Sequence, residues 1–113
     1  MWLFTIDGFF SVVQDKYCNP DEVMVRARCK EDLINLLNRI GLAKSEILEI
    51  NYADYRFRVK LKKKNLANAI SETIMQINYP NFKNTLDYHD YDRYIAYSEC
   101  WKAMHQWQKS KDR

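Results

Sequence analysis

Apolar residues recur along this chain with two different periods, and each period predicts a kind of element. A period of two marks a strand with one face turned inward, and a spacing of three and four marks a helix with one apolar stripe. The cleanest alternation runs from Val23 to Cys29, where Val23, Val25, Ala27 and Cys29 point one way and Met24, Arg26 and Arg28 the other. A second runs through YRFRVKLK, with Tyr55, Phe57, Val59 and Leu61 inward and Arg56, Arg58, Lys60 and Lys62 outward. EILEI reads as a further strand joined to it by the loop NYAD, a four-residue connection that sets Glu49 opposite Arg56.

The opening MWLFTIDGFFSVVQ departs from simple alternation. Asp7-Gly8 between two β-prone runs predicts a hairpin with a two-residue turn that pairs Ile6 with Phe9, Phe4 with Ser11 and Trp2 with Val13. Trp2, Phe4, Ile6, Phe9 and Val13 then share one face, and Leu3, Thr5, Phe10 and Val12 the other. Both faces are apolar, so both require covering.

Helical spacing appears three times. EDLINLLNRIG carries Leu33, Leu36, Leu37 and Ile40 on one stripe, with Gly41 as a left-handed stop. From Asn65, read as an N-cap, Leu66, Ala69, Ile70, Thr73, Ile74 and Ile77 form a second stripe, which Pro80 ends. From about His89 to Lys109, Tyr94, Tyr97, Trp101 and Met104 lie beside Ala96, Cys100, Ala103 and Trp107, a stripe wide enough to require two apolar neighbours. Two helices are expected over one face of the sheet. The aromatic C-terminal helix, with or without a second subunit, is expected over the Leu3, Phe10 and Val12 side of the hairpin.

The predicted fold is therefore α+β: a mostly antiparallel sheet of about five strands in the order ββ-β-α-β-β-α-α, with a βαββα portion expected to be ferredoxin-like. At 113 residues the chain suits one domain over residues 1–113, and its balance of 47% hydrophobic and 29% charged residues argues against disorder. Three cysteines at no metal-like spacing, with no leader-like opening, predict reduced thiols and a cytoplasmic protein. No apolar run is long enough to cross a membrane.

A formal net charge of +3 permits an anionic partner, and its distribution sharpens the point. Arg26 and Arg28 on one strand and Arg56, Arg58, Lys60 and Lys62 on another form one cationic surface if those strands are neighbours. The alternative is a solvated face with its long side chains splayed apart. KKKN places Lys62, Lys63 and Lys64 before a helix N-terminus, where cations are disfavoured unless an anion joins them and the amides of Leu66 and Ala67.

LDYHDYDRYIAY surrounds His89 with Asp87, Asp90, Asp92 and tyrosines, making His89 the candidate general acid or base, although acids at a helix start and tyrosines in a packed stripe account for the pattern equally well. With two glycines in the whole chain there is no glycine-rich phosphate cradle, and no spacing of His and Cys suggests a metal. No cofactor is expected.

The set MWLFT..GFFSVVQ, VRAR, DYRFRV, INYPNFK and YSECW resembles a family of small bacterial and phage proteins that open the same way and have no established activity. The resemblance implies a compact cytosolic domain and directs attention to Arg26, Arg28, Asp54, Tyr55, Arg56 and Arg58.

The expected function is a non-enzymatic binding protein for a nucleotide, cyclic oligonucleotide or nucleic-acid backbone. Arg26, Arg28, Arg56 and Arg58 are the forked donors to phosphate, Lys60 and Lys62 supply charge, and Tyr55 or Tyr88 stacks on a base. By analogy it would serve as a phage or mobile-element inhibitor of host defence. Two other readings compete with it: a homodimeric protein-interaction module that covers a partner protein's surface, and a phosphoesterase built on His89.

Overall fold

The computed structural model describes residues 1–112, which fall into two compact units, one spanning Met1–Ile77 and the other beginning at Asn78. The first unit holds a five-stranded sheet built from β1 (Trp2–Thr5), β2 (Gly8–Val13), β3 (Glu22–Ala27), β4 (Leu48–Glu49) and β5 (Phe57–Lys62), with helices α1 (Lys30–Ile40) and α2 (Lys63–Met75). Strand order is β1-β2-β3-β5-β4, and every neighbouring pair is antiparallel. The segment β3-α1-β4-β5 leaves β3 and β4 on either side of β5, which is the split β-α-β arrangement of ferredoxin-like folds. Here β2 of the N-terminal hairpin continues the sheet beyond β3.

The core lies between the sheet and the two helices. Phe10, Val12, Val25, Ala27, Val59 and Leu61 from the sheet meet Leu33, Leu36 and Leu37 of α1 and Leu66 and Ala69 of α2. This reverses the expected coverage of the hairpin: Leu3, Phe10 and Val12 face α1 and α2, because Val12 stands opposite Val25 and so joins the inward row of β3. The other face carries Trp2, Phe4 and Phe9, which cover one another, Phe4 stacked on Phe9 at 4.5 Å and Trp2 edge-on to Phe9 at 6.3 Å.

The hairpin register differs from the predicted one by two residues. Thr5 pairs with Gly8, Phe4 with Phe9 and Trp2 with Ser11, so Ile6 and Asp7 form the turn. A shift of two preserves the face of every side chain. Contacts at the turn select it: Thr5 Oγ1 accepts the Asp7 N–H at 3.1 Å, and from across the fold Arg39 donates two bonds to the Asp7 carboxylate at 2.6 and 3.0 Å. Gly8 has φ +148°, and a Cβ there would overlap the buried Asp32 carboxyl, whose Oδ2 accepts the Phe9 N–H at 3.0 Å.

α1 ends as read. Gly41 adopts φ +87°, and the N–H groups of Gly41 and Leu42 both reach the Leu37 carbonyl, at 2.8 and 2.9 Å. α2 begins earlier than Asn65, at Lys63, because Asp21 receives its terminus: the Asp21 carbonyl accepts the Lys63 N–H at 2.8 Å. The amides of Leu66 and Ala67 therefore fall inside the helical ladder and are not available to an anion. α2 buries Leu66, Ala69 and Thr73, whereas Ile74 and Ile77 are exposed. The helix stops at Met75, ahead of Pro80.

In the second unit a 3-10 turn (Phe82–Thr85) precedes α3 (Tyr91–Lys111). Asp90 caps α3 by accepting the Arg93 N–H at 3.1 Å and its Nε–H at 2.9 Å. Tyr97, the one buried residue of α3, stacks on Phe82 at 6.0 Å and its hydroxyl accepts from Arg93 at 2.9 Å. Trp101, Met104 and Trp107, read as a buried stripe, are all exposed. Among the described residues, no helix is long and apolar enough to cross a membrane.

Candidate anion site on the sheet

Parity puts the candidate arginines together. β3 and β5 are neighbours, and Arg26 stands directly opposite Arg58 on the face away from α1 and α2. Opposed residues of an antiparallel pair have Cβ atoms about 4.5–5.5 Å apart, so the two long cations share one patch of sheet. Arg26 is anchored through Nη2, which donates to Ser11 Oγ at 2.7 Å, and Ser11 is fully buried opposite it on β2. Arg58 is anchored through Nη2 to the Tyr55 carbonyl at 3.1 Å. The Nε atoms of both arginines are buried and have no hydrogen-bond partner among the described residues.

Tyr55 organises the cluster. The sequence reading places it inward beside Val59, with a four-residue loop before it. Instead the Ile50 N–H bonds the Arg56 carbonyl at 2.8 Å, which leaves a five-residue loop, 51–55, with Tyr55 as its last member. Released from the strand's alternation, the Tyr55 ring lies under both guanidinium groups of the VRAR segment, 4.7 Å from Arg26 and 4.2 Å from Arg28. The ring is only 5% exposed, so no free face remains for a nucleobase. Arg28 is fixed further by its Nη1 donating to the Asp54 carbonyl at 2.8 Å.

The odd loop length also shifts β4 by one residue. Glu49 stands opposite Phe57, and Leu48 opposite Arg58, so the expected pairing of Glu49 with Arg56 does not form. Among the described residues, no carboxylate forms an ion pair with Arg26, Arg28, Arg56 or Arg58. Arg56 is exposed beside the cluster, and Lys60 stands exposed opposite Met24. Lys62 is different: Asp21 pairs with it at 2.9 Å, and Glu22, opposite it on β3, lies 3.9 Å away. The Lys62 ammonium holds the Asp21 carboxyl below the usual carboxylate range.

Tyr88 and His89 belong to the second unit. The Tyr88 ring lies 3.9 Å from that of His89 and is largely exposed. His89 Nδ1 is 3.0 Å from Asp87 Oδ1, with both side chains about 70% exposed (72% and 68%). The Asp87 carboxyl is held low chiefly by the His89 N–H, then by its ring. This pair caps a turn in open solvent. The described residues contain no cluster of metal-ligating side chains, and their three cysteines are unpaired.

Ser11 is the partner that sequence reasoning passed over. It is the one polar residue in FFSVV, which was the available signal; its place opposite Arg26 depends on the β2–β3 register, which the structure supplies. No family model, curated protein or solved structure matches the chain.

Proposed function

We propose that the chain is a small binding protein for a phosphate-bearing ligand, a nucleotide, cyclic oligonucleotide or nucleic-acid backbone, held by Arg26, Arg28 and Arg58. One observation carries this reading: two arginines face each other across β3 and β5 without a carboxylate, and each keeps a buried Nε–H unpartnered. Buried donors are nearly always satisfied in folded proteins, and opposed like charges destabilise a sheet. An oxyanion bound between the two guanidiniums relieves the like-charge opposition, and phosphate fits the forked donors that the anchoring bonds leave free.

In this reading Ser11, Tyr55 and the Asp54 carbonyl preorganise the arginines, while Arg56 and Lys60 add attraction at longer range. Tyr55 positions the cations and does not stack on a base. Binding without chemistry would suit sequestration of a signalling nucleotide or occlusion of nucleic acid, the mode expected of a phage or mobile-element inhibitor of host defence.

Native mass spectrometry of protein purified from the cells that make it tests the proposal. A retained mass of nucleotide size is expected on the wild-type chain and should vanish in Arg58→Met. An adduct that persists in that variant would place the ligand elsewhere.

A second reading, a protein-interaction module, rests on the exposure of Trp101, Met104 and Trp107 along α3. It requires a dimer or hetero-complex in light scattering that Trp101→Glu disrupts and Arg58→Met leaves intact.

A further inference from the structure

A groove of about 570 Å³ opens between the first hairpin and α2, at a distance in function from the arginine cluster. Its volume falls within the roughly 300–1,000 Å³ of small-molecule sites. Leu3, Val12 and Val23 form the sheet wall, and Leu66, Ile70 and Ile74 the helix wall. Among the described residues, no acidic one lines it. Ile74 belongs to the stripe that α2 otherwise buries, yet it is 58% exposed here. Met1 and Met75, both largely exposed, add unbranched side chains that adapt to an occupant of variable length.

The charge at this groove is equally specific. Lys63 is the only ionised side chain in the lining. Asp21 gives its carboxylate to Lys62 and only its backbone carbonyl to Lys63, so the Lys63 ammonium has no ion pair among the described residues. We propose that this groove binds a long-chain fatty acid, the alkyl chain lying between hairpin and α2 and the carboxylate meeting Lys63. The match is one apolar trough with one cationic side chain: the Met1 α-ammonium, which also belongs to the lining, already donates to the Val12 carbonyl at 2.9 Å, whereas the Lys63 ammonium is left for a carboxylate. A hydrocarbon chain also brings no N–H or C=O groups that apolar walls would leave unpaired, as an extended peptide would.

The test is a titration of the full chain with laurate, myristate and palmitate below their aggregation concentrations, read by displacement of a fluorescent fatty acid. Saturable one-to-one binding is expected, tightening with length by up to about fourfold per methylene. Ala67→Trp fills the groove from an exposed position of α2 and should weaken palmitate at least tenfold with far-UV dichroism unchanged.

Lys63→Gln should weaken laurate several-fold and leave the corresponding alcohol unaffected. Arg58→Met should not alter either. Affinity independent of chain length, or unchanged in both groove variants, overturns the proposal. So does binding seen only with phospholipid vesicles, which would make the groove a membrane contact, or a dimer dissociated by Ala67→Trp, which would make it an interface between copies.

Discussion

Replacing Arg58 by Met separates a cation kept for a ligand from one that holds the fold together. Methionine preserves most of the aliphatic stem and removes the guanidinium. The loss is the charge-assisted hydrogen bond from Nη2 to the Tyr55 carbonyl, worth about 1.5–3 kcal/mol. Against it stand the buried, unpartnered Nε–H, whose removal returns about 1–3 kcal/mol, and the opposition to Arg26, worth about 0.2–1 kcal/mol. The two sides are of similar size, so the net change should centre near zero and stay within about 2 kcal/mol.

Arg39→Met is the internal contrast. Arg39 donates twice to Asp7, once to Glu72 and once to Gln76, and its side chain and that of Asp7 are only 13% and 11% exposed. Its removal strands the Asp7 carboxylate at the hairpin turn and should cost about 3 kcal/mol or more. Urea unfolding followed by tryptophan fluorescence and far-UV dichroism, at fixed salt and without ligand, compares the two. A loss in Arg58→Met as large as that in Arg39→Met would refute the reasoning, because Arg58 would then be a structural tie.

Two further perturbations test the frame around the site. Gly8→Ala forces a side chain onto the Asp32 carboxyl at φ +148° and disturbs the Phe9 N–H bond, so urea unfolding should show a loss of about 3 kcal/mol or more. Asp90→Ala removes the α3 cap and at neutral pH should cost about 1 kcal/mol of helix stability, measured by thermal melts in far-UV dichroism. The bond from Arg93 holds the Asp90 carboxyl low, so its contribution is complete above the unfolded-chain value near about 3.9 and disappears as pH falls through the lower folded value. Wild type and Asp90→Ala should therefore converge in acid, and a difference that survives there would contradict the assigned cap.

The alternation of β3 and β5 was enough to bring Arg26 and Arg58 to one face, because the side-chain period of a strand leaves no freedom once one face is buried. The periodicity of α1 and its Gly41 stop were equally legible. What escaped was controlled by single contacts across the fold. Loop length before β5 depends on one backbone bond, from Ile50 to Arg56, and that bond moved Glu49 away from Arg56 and turned Tyr55 toward the arginines. Asp21 likewise set the start of α2 from 42 positions earlier than Lys63 in the chain. The turn at Ile6-Asp7 follows from Arg39 and Asp32, which the local DG signal cannot include.

The central claim is that Arg26 and Arg58 form a seat for phosphate, and calorimetric titration tests it most directly. Inorganic phosphate, ATP, a cyclic dinucleotide and a ten-residue thymidine oligonucleotide would each be titrated at 50 and 200 mM salt into wild type, Arg26→Met and Arg58→Met. At least one should bind the wild-type chain and lose about 30-fold or more in each variant, the cost of removing one partner from a desolvated charge pair. For the oligonucleotide, two or three phosphate contacts predict a loss of about tenfold across that salt range. Binding that ignores both salt and substitution, or no binding by any of the four, would contradict the account.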